Sequence, residues 1–125
     1  MALRVVAGII GVFFLIQGIN WIVIPAAAAE ALGMPLLDGL GRSTQIGDTA
    51  SFFLTLGTMS LLGAARSNAQ WLRGGAMLLG AAAIARIIAW LLHDAAFAGI
   101  FIGVEIVFGA ALLFVASRFS AASAR

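Results

Sequence analysis

The chain is 125 residues long, 63% hydrophobic and 10% charged, whereas a soluble domain averages roughly 45–50% apolar and about 25% charged, so a water-soluble fold is excluded. There is room for a single domain, residues 1–125. Net charge is +2 with no basic run, which argues against a nucleic-acid partner, and the absence of cysteine removes disulfides, thiolate metal sites and cysteine nucleophiles.

The first apolar stretch, Val5–Ile24, follows Arg4 and precedes Ala26-Ala27-Ala28-Ala29, an order that imitates a signal peptide. Its length of about 20 residues suits a retained spanning helix better than the 7–15 residues of a signal core. Pro25 ends it, because proline disfavours helix for the residue before it. Residues 25–47 then form the long connection on the outer side. Within it, Ala26–Leu32 reads as a short surface helix stopped by Gly33, and Met34-Pro35 with Gly39 and Gly41 reads as irregular coil. Further spans are expected at Asp48–Ala65, Trp71–Leu92 and Phe97–Ser117. The polar turns between them, Arg66–Gln70 and His93–Ala96, are short enough to force antiparallel neighbours. The expected fold is therefore an all-α membrane protein, a four-transmembrane-helix antiparallel bundle.

Orientation follows from the arginines. With the N-terminus inside, Arg4, Arg66, Arg73, Arg118 and Arg125 are cytoplasmic and only Arg42 is outside, the positive-inside pattern of an N-in/C-in protein of the bacterial inner membrane. Trp71 near the inner surface, and Trp21 and Trp90 near the outer, fit aromatic belts. Small residues recur at helical spacing: Gly99 and Gly103 form a GxxxG pair, Gly57, Ser60 and Gly63 follow one another, and Ala7/Gly11 and Ala76/Gly80 are weaker versions. Such faces pack within one bundle or against another subunit or a second copy.

Two charges lie inside apolar stretches, Arg86 and Glu105. Each costs roughly 2.5–3.5 kcal/mol on insertion scales, so they are expected to pair, to act, or both. Gln17 lies thirteen residues beyond Arg4, Arg86 thirteen beyond Arg73, and Glu105 thirteen before Arg118. At 1.5 Å per residue all three sit roughly 20 Å from an inner-surface arginine, at one depth. Arg86 and Glu105 are also symmetric about the Ala95–Ala96 turn, so an ion pair across the hairpin is natural. Asp48 falls within about 3 Å of that depth, and a guanidinium fork can hold two carboxylates, so Asp48, Arg86 and Glu105 are expected as one cluster. Asp48, Ser51, Thr55 and Thr58 share one helix face; Gln17 and Asn20, beside Trp21, offer another polar face; Arg86, Trp90 and His93 share a third. Lone His93 reads as an ordinary interfacial histidine and Asp94 as a cap of the fourth span.

The order of these features resembles the bacterial four-span family catalogued as domain of unknown function 4345. The residues that carry the resemblance are Pro25, Leu32-Gly33, Asp48 with Leu56-Gly57 following, Ala85-Arg86 where the family has Gly-Arg, and Glu105. It extends from Val5 to about Val115 and implies a compact inner-membrane bundle sharing the Asp, Arg and Glu positions. It implies no activity.

Two readings of the polar layer compete. One is a buried salt bridge that fixes helix register. The other is a pocket, open outward, for an amphipathic or acidic small molecule or lipid, built from Asp48, Arg86, Glu105, Gln17, Asn20, Trp21, Trp90 and His93. An accessory subunit of a larger membrane assembly, docking through Gly99 and Gly103, is the alternative function. A small multidrug-type transporter fits less well, since that class has its key glutamate where this chain has Gln17. No Gly-x-Ser-x-Gly, Walker or His-Glu-x-x-His motif supports an enzyme. No cofactor or metal is expected; the expected partners are membrane lipids and other membrane subunits or a second copy.

Overall fold

The computed structural model describes residues 1–124; Arg125, the last of the arginines assigned to the inner side, lies outside the described residues. These residues form five helices and no strand: α1 (Ala2–Val23), α2 (Pro25–Ala31), α3 (Gly39–Arg66), α4 (Ala69–Leu92) and α5 (Gly99–Ser123). Three of them, α1, α4 and α5, are long and apolar enough to cross a membrane. Many of the largest side chains point away from the bundle, among them Ile9, Ile16, Ile84, Ile100, Val107 and Phe114. An apolar surface of that extent is what a lipid-facing bundle exposes.

Local chemistry sets the ends of the helices. The Ile24 N–H donates to Asn20 O (2.8 Å), and Pro25 then opens α2, where its missing N–H is no loss. The short helix expected at 26–32 is present. Its C-terminus is a Schellman turn, with Gly33 N–H to Glu30 O (2.9 Å) and Met34 N–H to Ala29 O (3.0 Å). Gly33 takes the left-handed conformation that this turn requires (φ 72°).

The coil expected up to residue 47 is shorter than the sequence suggested, because α3 begins at Gly39, nine residues before Asp48. Side chains of its first turns tie the preceding strand of coil to the helix. Arg42 bonds the Leu37 carbonyl (2.7 Å) and pairs with Asp38 (2.8 Å), and Gln45 accepts from Leu37 N–H (3.0 Å) while donating to Pro35 O (3.1 Å). Smaller corrections apply elsewhere. The helix expected from Val5 starts at Ala2, that expected from Trp71 starts at Ala69, where the Asn68 side chain caps Gln70 N–H (2.9 Å), and that expected from Phe97 runs Gly99–Ser123. Asp94 does not cap α5: it sits in the turn at φ 53°, and Ala98 holds the cap position.

The four long helices run antiparallel in chain order. At one end, Arg4 donates to the last carbonyls of α3, Ala64 O (2.8 Å) and Ala65 O, where the helix dipole favours a cation. At the same end Arg73 of α4 bonds Ser120 of α5 (2.9 Å). The arginine-rich termini thus gather on one side, and α2 lies at the other. The tightest seam is α1 against α3. Gly11 and Gly57 face each other there, and a Cβ on Gly57 would stand 2.7 Å from Leu15 N and 2.8 Å from Gly11 O. This close approach is the use expected of Gly57 and of the Ala7/Gly11 pair. A core of Ile10, Phe14, Leu56, Leu72, Leu79 and Leu112 fills the middle. A second cluster, Trp21, Ala28, Ala29 and Ala50, packs α2 onto the C-terminal part of α1 and the N-terminal part of α3. By contrast α1 and α5 touch only sparsely.

Candidate functional site

In the quarter of the α4–α5 hairpin nearest its turn, Arg86 Nε donates to Glu105 Oε1 at 2.8 Å. This is the cross-hairpin pair that the turn symmetry predicts. The guanidinium also lies over the Phe101 ring, 4.9 Å from its centroid, a cation–π contact one turn before Glu105 on α5. The two partners differ in burial: the Arg86 side chain is 34% exposed and that of Glu105 9%. The second carboxylate oxygen, Glu105 Oε2, is buried and has no hydrogen-bond partner among the described residues. A buried acceptor is normally satisfied, and leaving one unpaired costs roughly 1–3 kcal/mol, more for a charged group.

Glu105 lines a cavity of about 210 Å³. From α1 come Phe13, Phe14, Gln17 and Trp21; from α2 and the residue after it, Ala28, Ala31 and Leu32; from α3, Phe52 and Phe53; from α4, Leu79; and from α5, Ile100, Phe101, Val104 and Glu105. The wall is mostly aromatic, with Phe14 stacked on Phe53 (5.9 Å) and edge-on to Phe13 (5.1 Å). The lining residues that carry polar atoms are Gln17, Glu105 and Trp21. Arg86 is not part of the wall. Helix α2 lies over one end, and the sparse α1–α5 contact leaves the lateral side open between Ile100, Val104 and α1.

Of the residues singled out from the sequence, Gln17, Trp21 and Glu105 meet at this cavity, and Arg86 supports it from behind. The others do not join them. Asp48 is exposed and makes no ion pair among the described residues, so the three-residue cluster with Arg86 and Glu105 is not formed. The polar stripe of Asp48, Ser51, Thr55 and Thr58 faces outward along its whole length. At 100° per residue Asp48 points about 180° from Gly57, the residue that α3 buries against α1. Asn20 is half-buried but off the cavity wall. Trp90 is exposed and packs edge-on against Phe97 (5.0 Å), and His93 is exposed at the turn. Trp21, expected in an outer belt, is instead 1% exposed. Gly99 and Gly103 lie opposite Glu105 as their angular offset predicts, both exposed, with open space beyond Gly103.

The residues that sequence reasoning missed are the phenylalanines and the roof. The adjacent pairs Phe13-Phe14 and Phe52-Phe53 were a weak signal: neighbours on a helix stand about 100° apart, so a pair of rings covers a wide arc of its circumference. Ala28 carried no signal at all. Compared with known protein families, with curated proteins and with solved structures, the chain has no match in any of the three.

Proposed function

We propose that this chain is a small integral membrane protein that binds an amphipathic molecule of the bilayer in the cavity beside Glu105. The observation that carries the reading is the cavity itself: about 210 Å³ of aromatic-walled space with Glu105, whose second carboxylate oxygen is buried and unsatisfied, in its wall. A salt bridge kept only for register would be packed in and satisfied on both oxygens. Mostly apolar concave sites with a few placed polar groups are the usual form of a small-molecule site.

In this reading α3 is the fourth membrane span. Its first turns, Gly39–Gly47, stand in the outer interface, and its apolar part crosses beside α1. The arginine-bearing end faces the cytoplasm, which makes the protein N-in/C-in and puts the cavity in the outer half of the inner membrane. The resemblance to domain of unknown function 4345 fits this arrangement, with Arg86 and Glu105 as its paired positions and Asp48 outside the pair.

Purification in native lipid particles, followed by solvent extraction and mass spectrometry, tests the binding reading. A low-molecular-weight amphipathic compound held in near-stoichiometric amount is the expected result. Stoichiometric recovery of another membrane protein, with no such compound, would instead favour an accessory subunit. The exposed Gly99/Gly103 face of α5 supports that second reading.

A further inference from the structure

We infer that the molecule in this cavity presents a neutral hydrogen-bond donor, a hydroxyl on an otherwise apolar body, to Glu105 Oε2. The inference rests on the binding reading above and specifies its ligand. The sequence alone left an acidic ligand open, with Arg86 as its natural partner. The geometry points the other way. Arg86 is absent from the cavity wall, whereas Glu105 is part of it, so the carboxylate-bearing partner is the one that adjoins the cavity. Oε1 is committed to Arg86 Nε, and Oε2 has no partner among the described residues. The carboxylate is nine-tenths buried, where an unpaired acceptor is costly and water competes little. An anion brought there would meet a carboxylate. A cation gains little net attraction, because the Arg86–Glu105 pair is neutral as a whole. A hydroxyl donates one hydrogen bond and adds no charge.

The remaining wall fits an apolar body, with rings of Phe14, Phe53 and Phe101 and the indole of Trp21 around it. At about 210 Å³ the space is below the roughly 300–1,000 Å³ of sites that enclose whole drug-sized ligands. It accommodates a head group and its first carbons. A longer tail leaves through the open seam between α1 and α5, where Ile100 is 83% exposed and the neighbouring medium is hydrocarbon.

The test uses Trp21, which lines the cavity, as the only tryptophan (Trp71→Phe, Trp90→Phe) in the full chain in nanodiscs. Bromodecanol, its methyl ether and bromodecanoate are compared as quenchers. Bromodecanol should bind about tenfold or more tighter than the ether, the ratio expected for one hydrogen bond to an otherwise unpaired buried carboxylate oxygen. Bromodecanoate should bind weakest. In Glu105→Gln the amide oxygen answers Arg86 and the NH₂ turns to the cavity, so the alcohol and ether should become equal. Equal binding of alcohol and ether to the native protein, tightest binding by the acid, or an alcohol preference that survives Glu105→Gln would each overturn the donor inference while leaving a binding cavity. The absence of saturable quenching by all three would remove the binding reading as well. A bromine-labelled diacylglycerol, set against its methyl ether in the same nanodiscs, separates sources. A preference there assigns a lipid alcohol, and a preference confined to the decanol series assigns a freely diffusing one.

Discussion

Removing Arg86 alone strands a buried carboxylate, and removing the pair does not. In Arg86→Ala, Glu105 keeps its burial at 8% exposure and loses its one hydrogen bond, the 2.8 Å contact from Nε, while Oε2 is already unpaired. Breaking a buried pair from one side costs roughly 3–5 kcal/mol. Because the Arg86 side chain is a third exposed and the cavity offers Glu105 some room, the lower end, about 3 kcal/mol, is expected. In Arg86→Met/Glu105→Leu both desolvation costs vanish and similar volumes remain, so the change should be near neutral or stabilising by about 1 kcal/mol. Thermal unfolding in one detergent, followed by near-ultraviolet circular dichroism, reads the difference. On the scale of small soluble domains it corresponds to roughly 10 °C between the two variants. Equal melting of the single and double variants would refute the coupling and, with it, the assignment of Glu105 as a buried side chain held by Arg86.

The close α1–α3 seam predicts that Gly57→Ala destabilises by roughly 1–3 kcal/mol, because the new Cβ meets backbone atoms of Leu15 and Gly11 that cannot step aside. Gly103→Ala, with nothing within 4 Å, should be neutral or gain up to about 1 kcal/mol from helix propensity, in the same melting assay. Asn68→Ala should cost about 1 kcal/mol by removing the cap on α4. Reporter fusions after Asp38 and at the C-terminus should read periplasmic and cytoplasmic respectively; the reverse pattern would move the cavity to the inner leaflet.

Depth was legible in the sequence, and direction only in part. The Arg86–Glu105 pair could be read because a short turn fixes the register of two helices, so residues symmetric about Ala95–Ala96 must sit level. The same counting placed Asp48 near that level, yet depth says nothing about azimuth. In a soluble helix a polar stripe marks the water side. α3 keeps that rule: the stripe of Asp48, Ser51, Thr55 and Thr58 faces out, and it carries Asp48, expected in the buried cluster, out with it. The early start of α3 was hidden for another reason: a Gly-, Ser- and Thr-rich segment with weak helix propensity is held by Arg42 and Gln45 reaching back to residues 34–38. The glycine faces divided correctly where angular offset to a charged residue was available, as for Gly99 and Gly103 against Glu105. The roof of the cavity was not legible, because alanines such as Ala28 give no pattern to read.

Filling the cavity tests most directly whether it is a binding site. Ala28 lies on the wall, is buried, and belongs to α2 rather than to the charged pair. Ala28→Leu therefore occupies the space without touching Arg86 or Glu105. Native mass spectrometry of the protein released from lipid particles should show a small-molecule adduct on the native chain and none on the variant, with the melting temperature of the variant unchanged or raised. A native chain that carries no adduct, or an adduct retained in full after Ala28→Leu, would contradict the account.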